Sequence, residues 1–138
     1  MERTWTYGGR AYPFDITEAD CISRMTRAMA RLKSDMEAWQ LHCQARQGGI
    51  ADGSLLAEHC ANVRLFFDTL FGDGEGAAIT GESDSAQECS EAYADFLCFA
   101  QMQVNRFARI REEVEERYRE RLERMAAGRR ETGDGNPL

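Results

Sequence analysis

Between Thr17 and Gln47 the large apolar residues fall at Ile22, Met25, Met29, Leu32, Met36, Trp39 and Cys43, at steps of three, four, three, four, three and four. That spacing is one face of a helix. Most residues off it are polar or small, among them Ser23, Arg24, Arg27, Lys33 and Glu37. The pattern predicts a long amphipathic helix whose seam must be covered, by the rest of the chain or by a second copy. Thr17 is the expected cap, Glu18 and Asp20 suit the positive helix end, and Gly48-Gly49 is the expected stop.

A second helical pattern runs from about Leu55 to Phe71 behind Asp52-Gly53-Ser54. Leu56, Cys60, Val63, Phe67 and Leu70 mark its stripe, and Leu55, Phe66 and Phe71 widen it. A stripe that wide implies more than one neighbour. Gly72-Asp73-Gly74-Glu75-Gly76 breaks the periodicity and predicts a loop, with Ile79 as a plug. A third pattern starts at Ser85, which stands at capping-box spacing from Glu88. It carries Cys89, Ala92, Tyr93, Phe96, Phe99, Ala100, Val104, Phe107 and Ile110, and meets no breaker before Gly128.

The second half of that helix differs in character. Between Asn105 and Arg124 lie seven Arg and six Glu, and only a narrow stripe continues through Val114, Tyr118, Leu122 and Met125. Opposite charges at helical spacing, such as Glu113–Arg117 and Glu120–Arg124, support such a segment. Ahead of the helices, Thr4-Trp5-Thr6-Tyr7 and Ala11-Tyr12-Pro13-Phe14 read as two strands around Gly8-Gly9, which supplies the positive φ of a tight hairpin turn. The expected fold is mainly α with a small N-terminal β-hairpin, a three-helix core and a long, charged C-terminal helix. Its expected parts are a hairpin-plus-helix domain over 1–110, a charged helical extension over 111–127 and a disordered tail over 128–138. Within it, the face from Ile22 to Cys43 is read first as the core-facing side of the three-helix unit, and as a coiled-coil contact second.

Charge changes the picture in one respect. The chain has 138 residues and a net charge of −7, and the excess lies in the middle. Residues 49–104 hold ten acidic groups and a single basic one, Arg64. Such a segment repels nucleic acid. It either favours a basic protein partner or serves solubility. Two prolines, Pro13 and Pro137, leave the interior free for helices. No apolar run of membrane-spanning length occurs, and the N-terminus lacks an apolar leader core. A soluble protein of the cytoplasm with five reduced cysteines is therefore expected.

Candidate chemistry is sparse. The 72–76 loop fails the calcium-loop pattern, because Ala77 and Ala78 stand where a ligand and a glycine are required. The two histidines sit beside cysteines (His42-Cys43, His59-Cys60), and helical neighbours point about 100° apart, so neither pair makes a chelate; no metal site is expected. Cys43 and Cys60 are read as seam residues and the histidines as interface edges. No motif supports a nucleophile with its base. No catalytic residue, cofactor, nucleic-acid or membrane contact is expected, and an enzyme is not the expected class.

One combination of residues is more specific. Tyr7-Gly-Gly-Arg-Ala-Tyr-Pro-Phe-Asp-Ile16, then Phe67-Asp-Thr-Leu-Phe-Gly-Asp-Gly-Glu75, Ile79-Thr-Gly81 and Cys89-Ser-Glu-Ala-Tyr-Ala-Asp-Phe-Leu97 resemble a family of small uncharacterised phage and prophage proteins of Gram-positive bacteria. In organisation the chain also resembles tail assembly chaperones of long-tailed phages. The resemblance covers about residues 4–107. It implies a non-enzymatic helper in the bacterial host cytoplasm, a chaperone or adaptor that holds helical segments of a tape-measure or tail-tube protein. The alternatives are a subunit retained in the particle, or a small enzyme or regulator of a mobile element with Cys60 and His59 as first suspects. A chaperone needs an adaptable apolar surface, and methionine supplies one. The candidate protein-binding residues are thus Met25, Met29, Met36 and Trp39 on the seam, and Val114, Tyr118 and Leu122 on the distal stripe. A homo-oligomer is a further possibility through the same surfaces.

Overall fold

A computed structural model describes residues 2–46 and 52–134, with side chains up to 129. The element order is β1 (Thr4–Tyr7), β2 (Arg10–Pro13), α1 (Ala19–Ala45), α2 (Gly53–Phe71), α3 (Glu75–Thr80) and α4 (Ala86–Asp134). The expected class is observed: a mainly helical chain with a two-stranded antiparallel hairpin and a long last helix. The chain divides into two units, Glu2–Gln103 and a second from Val104 onward. The first boundary therefore falls before Val104 rather than after residue 110. Helix α4 also runs through Gly128 to Asp134, so a tail beginning at 128 is not observed. Gly128 costs a helix only about 1 kcal/mol relative to Ala, too little to end one this long. The remaining tail, including Pro137, and the expected Gly48-Gly49 stop lie outside the described residues.

In the Glu2–Gln103 unit the hairpin register pairs Trp5 with Tyr12, and both are buried. A two-stranded ribbon is marginal by itself; here it is fastened by aromatics. The Trp5 indole stacks on Phe67 at 5.6 Å and meets Phe96 edge-on at 5.2 Å. Its Nε1–H donates to Asp95 Oδ1 at 2.8 Å. Phe14 also meets Phe96 edge-on, at 5.1 Å. Phe96 thus joins hairpin, α2 and α4 at one point, in the offset and edge geometries that aromatic quadrupoles favour.

The passage from β2 to α1 is held by Gln103 of α4, which is only 2% exposed. Its Oε1 accepts from Ile16 N–H at 3.0 Å, and its Nε2 donates to Phe14 O at 2.6 Å and Glu2 O at 2.8 Å. Thr17 does not cap α1. Its N–H and hydroxyl donate to Asp15 Oδ1 at 2.9 and 2.6 Å, and the helix begins two residues later behind Glu18. Asp15 competes for Thr17 with a local turn, as short acidic side chains commonly do. These bonds, with Arg3 nearby, hold the Asp15 carboxyl below its usual range. Helices α2 and α4 start as expected. Asp52 Oδ1 accepts from Ser54 N–H at 2.8 Å, and Ser85 Oγ accepts from Glu88 N–H at 3.2 Å.

Two local expectations are corrected. The glycine-rich stretch is not loop throughout: Glu75–Thr80 forms a short helix, in which Ile79 is buried as the expected plug. The seam of α1 is rotated slightly from its expected line. The buried residues are Cys21, Ala28 and Leu32, whereas Ile22 and Met29 are 39% and 37% exposed. Helix α1 packs against α2, and two of its three buried positions, Cys21 and Ala28, carry small side chains. The bulkier Ile22 and Met29 lie at the exposed edge. Met25 and Met36 pack partly buried against the core.

Candidate functional site

A groove lies along the exposed edge of α1. Met29, Leu32, Lys33 and Met36 of α1, His59 and Val63 of α2, and Ser90 and Tyr93 of α4 line a depression of about 500 Å³ on the Glu2–Gln103 unit. Helical spacing puts Met29, Leu32 and Met36 on one side of it. Opposite them stands Tyr93, whose hydroxyl is 4.0 Å from Met29 Sδ and whose ring meets Phe66 edge-on at 5.2 Å. At one end the His59 ring lies 5.2 Å from Trp39, and Trp39 Nε1–H donates to Leu55 O at 2.7 Å.

The groove favours neutral groups. Burial lowers the His59 pKa and raises that of the Tyr93 phenol, so both rings are uncharged at neutral pH. His59 Nδ1 is buried with no hydrogen-bond partner among the described residues. The lining is therefore apolar with two polar edges, Lys33 and Ser90, and two thioethers that can change rotamer to fit different side chains.

Of the candidate binding residues, Met29 and Met36 meet in this groove, while Met25 and Trp39 are engaged in the packing beside it. Val114, Tyr118 and Leu122 belong to the other unit and are exposed. Val63 and Tyr93 are lining residues that sequence reasoning did not assign to a site, and His59, a suspect only in the enzyme alternative, lines the groove rather than a catalytic centre. Tyr93 stood in the apolar stripe of α4, but only tertiary structure sets it across from Met29.

A second depression, of about 520 Å³, lies beside the hairpin between Arg10, Tyr12, Arg24, Phe71 and Glu75. Its cations are compensated locally, Arg10 by Glu75 at 3.8 Å and Arg24 by Asp20 at 3.2 Å.

The suspected nucleophile is poorly placed for chemistry. Cys60 is fully buried, and burial together with a hydrogen bond to Cys89 pushes its pKa up to about 11. A reactive thiol needs the opposite shift and access. His42 is occupied with Glu58 at 2.7 Å across the α1–α2 edge, as an interface histidine would be. Among the described residues no group of three or more His, Cys, Asp or Glu could hold a metal ion, and no helix is long and apolar enough to cross a membrane.

Fold and site together define a small, mainly helical protein: a hairpin-capped three-helix unit with an apolar, methionine-edged groove. The chain belongs to the family of unknown function DUF6673, whose model matches residues 8–132. No curated protein and no solved structure matches it.

Proposed function

We propose that this chain is a non-enzymatic binding protein of phage or prophage morphogenesis, a tail assembly chaperone or adaptor that holds helical segments of a tape-measure-like client. The observation that carries the binding reading is the groove edged by Met29, Met36 and Tyr93. It is apolar, open, and able to take one or two large side chains from an amphipathic helix. The phage context comes from the sequence resemblance. In this reading the protein acts in the host cytoplasm before the particle is complete, without cofactor or nucleic acid.

Co-expression with a tape-measure fragment tests it. The wild-type chain keeps the fragment soluble and co-purifies with it, and Met29→Asp releases it. A fragment that precipitates regardless of the chain defeats the reading. The second reading, a subunit retained in the particle, predicts the protein in purified virions by mass spectrometry, where a chaperone is absent. For the enzyme reading, Cys60 would have to react, and its buried, protonated state opposes that.

A further inference from the structure

Past Val104, whose mirror position is Gly128, the exposed stripe on the second unit is symmetric about its own middle. Phe107, Ile110, Val114, Tyr118, Leu122 and Met125 are all exposed, at steps of three, four, four, four and three. Read backwards, the steps are the same. Reflection about position 116 exchanges Phe107 with Met125, Ile110 with Leu122, and Val114 with Tyr118. A two-fold interface requires this property, because residue i must meet residue j while j meets i.

We infer that this stripe is the contact by which two copies of the chain pair, with their α4 helices antiparallel and crossing at residue 116. The stripe is about 27 Å long at 1.5 Å per residue. Its three steps of four in succession, flanked by steps of three, give eleven residues per three turns, from Phe107 to Tyr118 and from Val114 to Met125. That period is close to the helix's own, so the paired helices run nearly straight with a slight right-handed twist.

Size and charge both select the antiparallel arrangement. A parallel pair sets Tyr118 against Tyr118 and Val114 against Val114, large on large beside small on small. The antiparallel pair sets Tyr118 against Val114 and fills both gaps. Glu112, Glu113, Glu115 and Glu116 form an acidic block, which a parallel pair places beside itself. In the antiparallel pair the block lies beside a stretch containing Arg117 and Arg119. Glu115 of one copy then comes level with Arg117 of the other, and Glu113 with Arg119, each twice by symmetry. Arg111 faces Arg121, Glu112 faces Glu120 and Glu116 faces its own counterpart in the same arrangement, like-charge costs that water and salt screen and that a parallel pair multiplies. Antiparallel helix dipoles add a small favourable term. The contact is shorter than the three to four heptads that sustain a strong coiled coil, so the pair is concentration-dependent.

Light scattering and sedimentation equilibrium on the full chain test this directly. A 15.6 kDa monomer becomes a species of twice that mass on raising the concentration to about 100 µM, which reads a micromolar constant. Val114→Asp restores monomer mass with an unchanged helical spectrum, since Val114 is 53% exposed and contributes nothing to a core. Orientation is read by mixing V114C and Y118C chains in a background of Cys43→Ser and Cys98→Ser. Mixed disulfides between the two variants are expected. Self-linked V114C chains would mean a parallel pair and overturn the inference. So would a chain that stays monomeric, or a dimer that survives Val114→Asp.

Discussion

Gly76 lies so close to Arg64 that a Cβ on the glycine would sit 2.1 Å from the Arg64 carbonyl oxygen and 2.7 Å from its Cα. The obstruction is backbone, so no rotamer change relieves it. Asp68 fixes the approach from the same helix, its Oδ1 accepting from Gly76 N–H at 2.7 Å. Helix α3 is docked on α2 through that absent side chain. Gly76→Ala is expected to destabilise the protein by about 3 kcal/mol and to lower Tm by roughly 10–20 °C, measured by thermal unfolding. Substitution of Gly53, where nothing lies within 4 Å, serves as the comparison and should change Tm little.

Gln103 is a second point of sensitivity. Gln103→Leu keeps the volume but leaves Ile16 N–H without its acceptor and Phe14 O without its donor. A buried unpaired group costs about 1–3 kcal/mol. A loss of about 3 kcal/mol is expected in urea unfolding, with faster amide exchange at Ile16. Full protection of that amide in the variant would show that the clamp is not needed.

The hairpin and the three long helices were legible in the sequence because each is a local pattern. Trp5 and Tyr12 alternate around a Gly-Gly turn, and α1, α2 and α4 announce their faces by period. What escaped was set by distance in the chain. Gln103 read as one more polar residue on α4, and its meaning depends on Phe14 and Ile16, almost ninety residues away. The rotation of α1 was invisible because periodicity counts large side chains, whereas the buried positions include the small Cys21 and Ala28. Helix α3 is too short to show a period, and its place is set by Gly76 against Arg64. The groove was half legible: Met29 and Met36 were visible as an adaptable edge, but the opposite wall of Tyr93, His59 and Val63 was not.

Acid should loosen the groove. Burial lowers the His59 pKa from 6.5, so the folded state holds that proton more weakly than the unfolded chain does. The contribution is complete above pH about 6.5 and is lost as pH falls through the lowered folded value. Stability is therefore expected to fall below pH 6.5, and His59→Gln should flatten that part of the profile. Chemical denaturation at stepped pH measures both. An identical slope in the variant would remove His59 as the source.

Alkali acts through Cys60. Its pKa rises from 9.0 to about 11 in the folded state, so its contribution is complete below pH 9 and is lost between pH 9 and about 11. Cys60→Ala should narrow the alkaline loss over that window. The same burial orders thiol reactivity in native protein at neutral pH. Exposed Cys98 should label first and half-buried Cys43 more slowly, whereas Cys21, Cys60 and Cys89 should label only on unfolding. Mass spectrometry of peptides after timed alkylation reads the order.

Arg64 is the only cation among residues 49–104, and it is turned inward. Its guanidinium donates to Thr80 Oγ1 at 3.1 Å and Gly81 O at 3.3 Å, and pairs with Asp84 at 2.9 Å. The positive charge is consumed in tying α2 to the segment before α4. The middle of the chain therefore offers only negative charge to an approaching molecule. Encounter becomes selective before any contact forms: basic partners are drawn in faster than neutral ones, acidic ones are turned away, and the difference fades as ions are added. An internal fastening thus leaves the outward charge of this segment acidic.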